Sequence, residues 1–293
     1  MMNVSESAFP RVYAKYDLGL YEKAFPNELE LEEKLSETKR LGFDRIEISI
    51  DESDWRLARL DWSGHEKQRL RAAAERAGVP IRTMCLSGHR KYPFGASDPA
   101  ACERSLEIMR KAIDFSVEVG ISIIQLAGYD VYYEPGSEDT RRRFSENLAK
   151  AAAMAASAGV MLGFETMETP FMDTVGKAME YVHLCDSPWL NVYPDAGNLQ
   201  NACVKYGISA EEDLYSGRGH IVAMHLKETR PGVYRDMRFG EGHTDYRTFI
   251  SCAKDMGVHM FTGEFWHHDG EDYEREILHA ARFLRGQLDA VFA

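Results

Sequence analysis

Cysteine is scarce in this chain and follows no pattern. The five residues Cys85, Cys102, Cys185, Cys203 and Cys252 are odd in number, and no two form a C-x-x-C pair. That spacing excludes a disulfide framework and a structural zinc site. The cysteines are therefore read as small buried hydrophobes in a reducing compartment. Long apolar runs are missing too. The longest uncharged stretch, 151–164, is rich in alanine and glycine and falls short of the ~20 residues that a bilayer-crossing helix needs. The opening segment MMNVSESAFPRVY carries no apolar core of signal-peptide type. A cytoplasmic protein with no membrane partner is expected. Positive charge is in deficit: 35 Lys and Arg face 47 Asp and Glu, a formal net charge of −12. Phosphate backbones select basic surfaces, so nucleic acid is not an expected partner. A small phosphorylated ligand stays open, because one local basic pocket suffices to hold it. Gly240-Glu-Gly242 lacks the third glycine and the strand-to-helix setting of a dinucleotide loop. It is read instead as shaping the loop after a strand.

What is present is alternation. Short apolar runs at 18–21, 45–50, 79–86, 121–127, 160–164, 189–193, 221–226 and 260–265 read as strands. Between and after them, amphipathic segments at 28–41, 65–77, 99–119, 138–157, 174–185, 210–215, 246–256 and 273–291 read as helices. Gly42 and Gly78 stop two of these, and Asp98-Pro99 supplies a cap and a first-turn proline. Strands alternating with helices imply a parallel sheet covered by helices. Eight such units in 293 residues, without a linker or low-complexity stretch, predict one closed (β/α)8 TIM barrel spanning 1–293, since such a barrel takes about 250 residues.

In these barrels the chemistry sits at the carboxyl ends of the strands. The polar residues at the ends of the last four apolar runs are Glu165, Asp195, His225 and Glu264, and the second strand carries Glu47. Each carboxylate alone reads more often as a chain turning to solvent, and His225 alone more often as a satisfied histidine than a ligand. Four at the same end of consecutive strands read as a site for one divalent ion. Three carboxylates and an imidazole suit Mn²⁺, Mg²⁺ or Zn²⁺.

Several longer segments carry a family resemblance. Leu-Gly-Leu-Tyr-Glu-Lys-Ala (18–24), Met-Cys-Leu-Ser-Gly-His-Arg-Lys-Tyr-Pro-Phe-Gly (84–95), Gln-Leu-Ala-Gly-Tyr-Asp-Val-Tyr-Tyr (125–133), Tyr-Pro-Asp-Ala-Gly-Asn (193–198) and Phe-Gly-Glu-Gly (239–242) resemble the L-ribulose-5-phosphate 3-epimerases. These belong to the wider xylose-isomerase-like barrel superfamily. The resemblance runs from about Leu18 to about Phe265. It implies a metal held by Glu165, Asp195, His225 and Glu264, with Glu165 and Glu264 as the acid–base pair. It also implies a ketose phosphate as substrate. Some ketose 3-epimerases have histidine three residues after the metal aspartate. Here that position is Asn198, which resembles the phosphate-using branch, while Glu168 stands where aspartate is expected.

Chemically the expectation is coherent. Epimerisation at C3 removes a proton alpha to the C2 carbonyl, a Lewis acid stabilises the enediolate, and two carboxylates serve the two faces. The wider set expected to contact substrate is Glu47, His89, Arg90, Lys91, Asn198, Lys227, Arg235 and Arg238. Residues 87–91 could meet a hydroxyl or phosphate, or form a solvated basic loop. Tyr129 to Tyr133 could wall the pocket or pack as a loop, and Trp266-His267-His268 is read as a rim. Competing functions are a free-ketose 3-epimerase, an aldose–ketose isomerase, a metal-dependent phosphodiesterase and a non-catalytic sugar-binding barrel. Self-association is left open.

Overall fold

A computed structural model describes residues 15–293, and the segment read for a signal sequence lies outside them. Eight parallel strands form the sheet: β1 Asp17–Tyr21, β2 Arg45–Ile50, β3 Ile81–Leu86, β4 Ile123–Ala127, β5 Met161–Glu165, β6 Leu190–Val192, β7 Met224–Leu226 and β8 Met260–Gly263. β1 pairs with both β2 and β8. The ring closes between β6 and β7 through two isolated parallel bridges, Val192 to Ile221 and Asp195 to His225. Among the described residues ten α-helices wrap it: α1 Leu31–Arg40, α2 Asp54–Leu57, α3 Gly64–Ala77, α4 Pro99–Val119, α5 Glu138–Ala158, α6 Val175–Cys185, α7 Ala196–Tyr206, α8 Ala210–Ser216, α9 Tyr246–Asp255 and α10 Tyr273–Phe292. This is the α/β barrel that the alternation predicts. Among the described residues no helix is long and apolar enough to cross a membrane. All five cysteines are free thiols.

The structure departs from the sequence reading at α7, which was not anticipated. Pro194, Gly197 and Asn198 make 193–198 look like a turn. Yet Asp195 caps that helix, its side chain accepting the Asn198 N–H, so the turn signal is a helix start.

β2 shows how the barrel interior is built. Ile46, Ile48 and Ile50 belong to the apolar core shared with the helices. Arg45 and Glu47, two apart, lie on the opposite face of the strand and point into the barrel. Arg45 donates to Thr83, to the Phe261 carbonyl and to Thr262, and lies 2.7 Å from Asp17. A Cβ on Gly19 would come within 2.4 Å of the Arg45 guanidinium and would displace it from these partners. The alternation of 45–50 is thus not the usual polar-to-water pattern: its polar face lines a buried polar floor beneath the mouth.

A second buried charge network holds the β1 end. Glu22 is fully buried and receives Arg56 at 2.7 Å, Arg59 at 2.8 Å and the Ser49 N–H at 2.8 Å. Burial alone raises the carboxyl pKa, but the charges of Arg59 and Arg56 outweigh it and hold it at about 2 instead of 4.5. Removing one member of such a network strands the others, which typically costs about 3–5 kcal/mol. Glu22→Gln is expected to lose that much in urea unfolding, and a loss under ~1 kcal/mol would contradict the network. The sign with pH follows from the depressed value. The contribution of Glu22 is complete above 4.5 and is lost as pH falls towards 2, so the gap between wild type and variant should narrow in acid.

Candidate metal centre

Four side chains converge at the C-terminal mouth. Glu165 is the last residue of β5, Glu264 follows β8 directly, His225 is central in β7, and Asp195 lies three residues past β6. One ligand atom from each falls within 4.8 Å of all the others, and all four residues are buried. Local bonding sets their positions. The Glu264 N–H bonds to the Leu226 carbonyl, and the His225 N–H to the Pro194 carbonyl. Thr166 receives the Asp195 N–H at 3.0 Å. Asp195 divides its two oxygens: Oδ1 caps α7 through Asn198, whereas Oδ2 is buried without a hydrogen-bond partner. Oε2 of Glu264 likewise has no hydrogen bond of acceptable geometry.

The electrostatics describe a pocket short of positive charge. Burial, then the charges of Glu264 and Glu165, push the Asp195 carboxyl up to about 7 against the pull of Lys227. Glu165 is raised by burial and by Glu264. Glu264 is lowered, because Lys227 and His225 overcome the effect of burial. Lys227, itself buried, lies 3.3 Å from Asp195 and 3.2 Å from Glu264. Oδ2 of Asp195 is left as a buried carboxylate oxygen without a hydrogen bond, which is expensive unless a cation meets it. Three carboxylates and one imidazole fit a hard or borderline divalent ion.

The cleft above these residues includes Arg90, Asn198, Lys227 and Arg235 from the predicted contact set. It also includes Trp266, read as rim, and Tyr21, Lys23, Cys85 and Glu168, which were not in that set. Asn198 donates to the Thr166 carbonyl and leaves its own Oδ1 buried and unpartnered.

Four residues of the set are not brought into the cleft. His89 is buried, its Nε2 3.1 Å from the Ser105 carbonyl and its ring 4.4 Å from Phe94. Burial lowers its pKa to about 4, so it is a neutral packed ring. Lys91 points outward towards Asp54, and Arg238 pairs with Glu276 beside an adjoining hollow. Glu47 lies beneath the cleft, fully buried against His225. The Tyr129 loop packs: Tyr129 donates to Glu168, and Tyr132 meets Tyr129 edge to face at 4.7 Å. Gly240 and Gly242 wrap the loop after β7 around Glu228, where a Cβ on Gly242 would sit 2.3 Å from that carboxylate.

An eight-stranded barrel with a carboxylate–histidine cluster at its C-terminal mouth defines a (β/α)8 protein whose mouth could hold a metal ion. The chain belongs to the xylose isomerase-like TIM barrel family, whose profile matches residues 35–287. It is 42% identical over 272 residues to the L-ribulose-5-phosphate 3-epimerase UlaE of Escherichia coli, covering 92% of this chain and 94% of that one. The protein of the same name from Shigella sonnei is equally similar. Among solved structures, the 3-keto-D-glucoside 4-epimerase YcjR of E. coli superposes with a TM-score of 0.75 at 18% identity, covering 92% of this chain and 99% of that one. An L-ribulose 3-epimerase superposes with a TM-score of 0.72 at 18% identity, covering 94% and 95%. These two share the fold.

Proposed function

We propose that this chain is a metal-dependent 3-epimerase that interconverts L-ribulose 5-phosphate and L-xylulose 5-phosphate. The observation that carries the reading is the convergence of Glu165 and Glu264 with Asp195 and His225 in one buried pocket. The 42% identity to enzymes of that name supports it. Glu165, Asp195, His225 and Glu264 would hold one divalent ion, Mn²⁺, Zn²⁺ or Mg²⁺. When bound, that ion supplies Lewis-acid stabilisation for the charge developing on the C2 oxygen. The chain's own residues do the rest. Glu165 and Glu264, at the ends of β5 and β8, serve the two faces of the reacting carbon, one taking the proton and the other returning one. The roles exchange for the reverse reaction. The free Oδ1 of Asn198 accepts a substrate hydroxyl, and Tyr21 with Trp266, edge to face at 6.0 Å, helps to exclude water. The substrate is a small molecule and the setting cytoplasmic.

The phosphate end falls to Arg90, Arg235 and Lys23. Arg90 lies over the Tyr132 ring at 4.8 Å with its buried Nε unpartnered. Arg235 lies over Trp266 at 5.3 Å. A guanidinium matches a phosphate by paired donors, and remote binding energy can be spent at the reacting carbon. Phosphorylated substrate should therefore surpass the free ketose in kcat/KM. Charge-assisted hydrogen bonds contribute about 1.5–3 kcal/mol. Arg90→Ala or Arg235→Ala should thus lower kcat/KM for the phosphate ester by roughly 10–150-fold and leave a free ketose nearly unchanged. Kinetics on matched pairs in D₂O, with deuterium followed at C1 and C3, test this. Equal efficiency for sugar and sugar phosphate would replace the reading with a free-ketose 3-epimerase. Deuterium at C1 alone would replace it with an aldose–ketose isomerase.

A further inference from the structure

Glu47 does no work in the cleft, yet it is among the most deeply buried carboxylates of the protein. Its Oε1 lies 2.6 Å from Nε2 of His225, with both side chains wholly inaccessible to solvent. Its Oε2 accepts the Tyr193 hydroxyl at 2.9 Å, and that hydroxyl also meets Thr262 at 2.7 Å. The Tyr193 ring packs edge-on to the imidazole at 4.9 Å. The opposite nitrogen of the same ring, Nδ1, faces the mouth: 3.4 Å from Glu264, 3.8 Å from Glu165 and 4.0 Å from Asp195.

We infer that Glu47 is a positioning residue for the metal centre. It accepts the Nε2 proton of His225, fixes the imidazole in one tautomer and presents Nδ1 as the ligand atom. The inference rests on the reading that His225 is a ligand. A neutral imidazole has one N–H and one lone pair, and a buried carboxylate can only accept. Oε1 at 2.6 Å therefore accepts a proton from Nε2, and the neutral ring that metal binding requires then keeps its lone pair on Nδ1, the nitrogen that lies by the three carboxylates and the Gln125 amide. Carboxylates behind metal-bound histidines typically fix ring orientation and raise ligand basicity. Tyr193 holds Glu47 by its second oxygen, so the carboxylate cannot rotate away. Arg45, on the same face of β2 and bonded to Thr83 and Thr262, supplies a positive charge behind it.

The test uses the full chain stripped of metal and titrated with Mn²⁺ by calorimetry. Glu47→Gln keeps the volume but removes the charge, and its amide can donate to Nε2 and favour the wrong tautomer. The Mn²⁺ Kd should rise roughly 10–100-fold. Tyr193→Phe should raise it less, because the carboxylate stays. Nitrogen NMR of the Zn²⁺-loaded, ¹⁵N-histidine-labelled wild type reports the tautomer independently of any variant, and Nε2–H with Nδ1 on the metal is expected. Coordination through Nε2, or a Glu47→Gln Kd within twofold of wild type, overturns the inference. A wild type that binds no Mn²⁺ overturns instead the assignment of the four ligands.

Discussion

Glu165→Gln and Glu264→Gln should each remove most of the turnover, by about 10²–10⁴-fold, the range over which a positioned acid or base contributes. The amide matches the carboxylate in shape and keeps one oxygen able to ligate a cation, but it cannot carry a proton. Glu165 ends β5 and Glu264 follows β8 directly, and the negative charge of Glu264 bears on the Glu165 carboxyl across the pocket. Losing either should stop epimerisation in both directions, since each carboxyl is acid in one direction and base in the other. KM should change far less than kcat, because an interaction made only in the transition state is lost. The outcomes separate by exchange. If Glu264 is the initial base, Glu264→Gln should abolish wash-in of deuterium at C3 from one epimer. Glu165→Gln should permit exchange without inversion from that same epimer. Metal content measured beside the kinetics guards against simple ligand loss. Near-native epimerisation by either variant would remove that residue from the acid–base pair.

The parts of this centre that the sequence discloses are those marked by a break in a pattern. Glu165 and Glu264 end apolar runs, and the interruption is itself the signal. His225 shows for the same reason. Asp195 shows too, just past the sixth apolar run, but the helix that it caps does not, because that helix opens with residues that usually end structure. Glu47 and Gln125 are the opposite case. Both lie inside strands, and periodicity does not tell which face of a strand turns into a barrel filled with polar groups. Glu47 was therefore expected at the substrate, and nothing singled out Gln125, whose amide lies 3.1 Å from His225 Nδ1. The loop cations fail for a different reason. Lys91, Arg238, Arg90, Arg235 and Lys23 are alike in sequence. Which ones face the cleft depends on loop conformations without a period, such as the turn about Gly240 and Gly242 that surrounds Glu228. His89 has the chemistry of a ligand but lies between Phe94 and a helix carbonyl, a tertiary contact with no local signature.

Stripping the protein of divalent metal should abolish activity, and adding back one equivalent should restore it. Asp195→Ala and His225→Ala should fail to recover. Asp195 offers an oxygen that no protein group satisfies, and His225 offers the one nitrogen in the cluster. Losing either leaves three donors, so binding should weaken by more than the roughly 10–100-fold typical of an outer partner. Binding should also be visible as stability. A ligand at a thousand times its Kd stabilises the native state by about 4 kcal/mol, so saturating metal should raise the wild-type Tm by several degrees. The two variants should show no rise. The direction with pH follows from the ligands: a cation needs the imidazole neutral and the carboxylates ionised, so binding expels protons and weakens as the solution becomes acid. The metal-dependent gain in Tm should accordingly shrink from pH 8 to pH 5, whereas a surface-adsorbed ion would give a small gain in all three proteins. Calorimetry in two buffers of different ionisation enthalpy counts the protons released. A wild type fully active after exhaustive chelation, with a Tm indifferent to Mn²⁺, Zn²⁺ and Mg²⁺, would leave Glu165, Asp195, His225 and Glu264 as a proton-sharing cluster and require epimerisation by carboxylates alone.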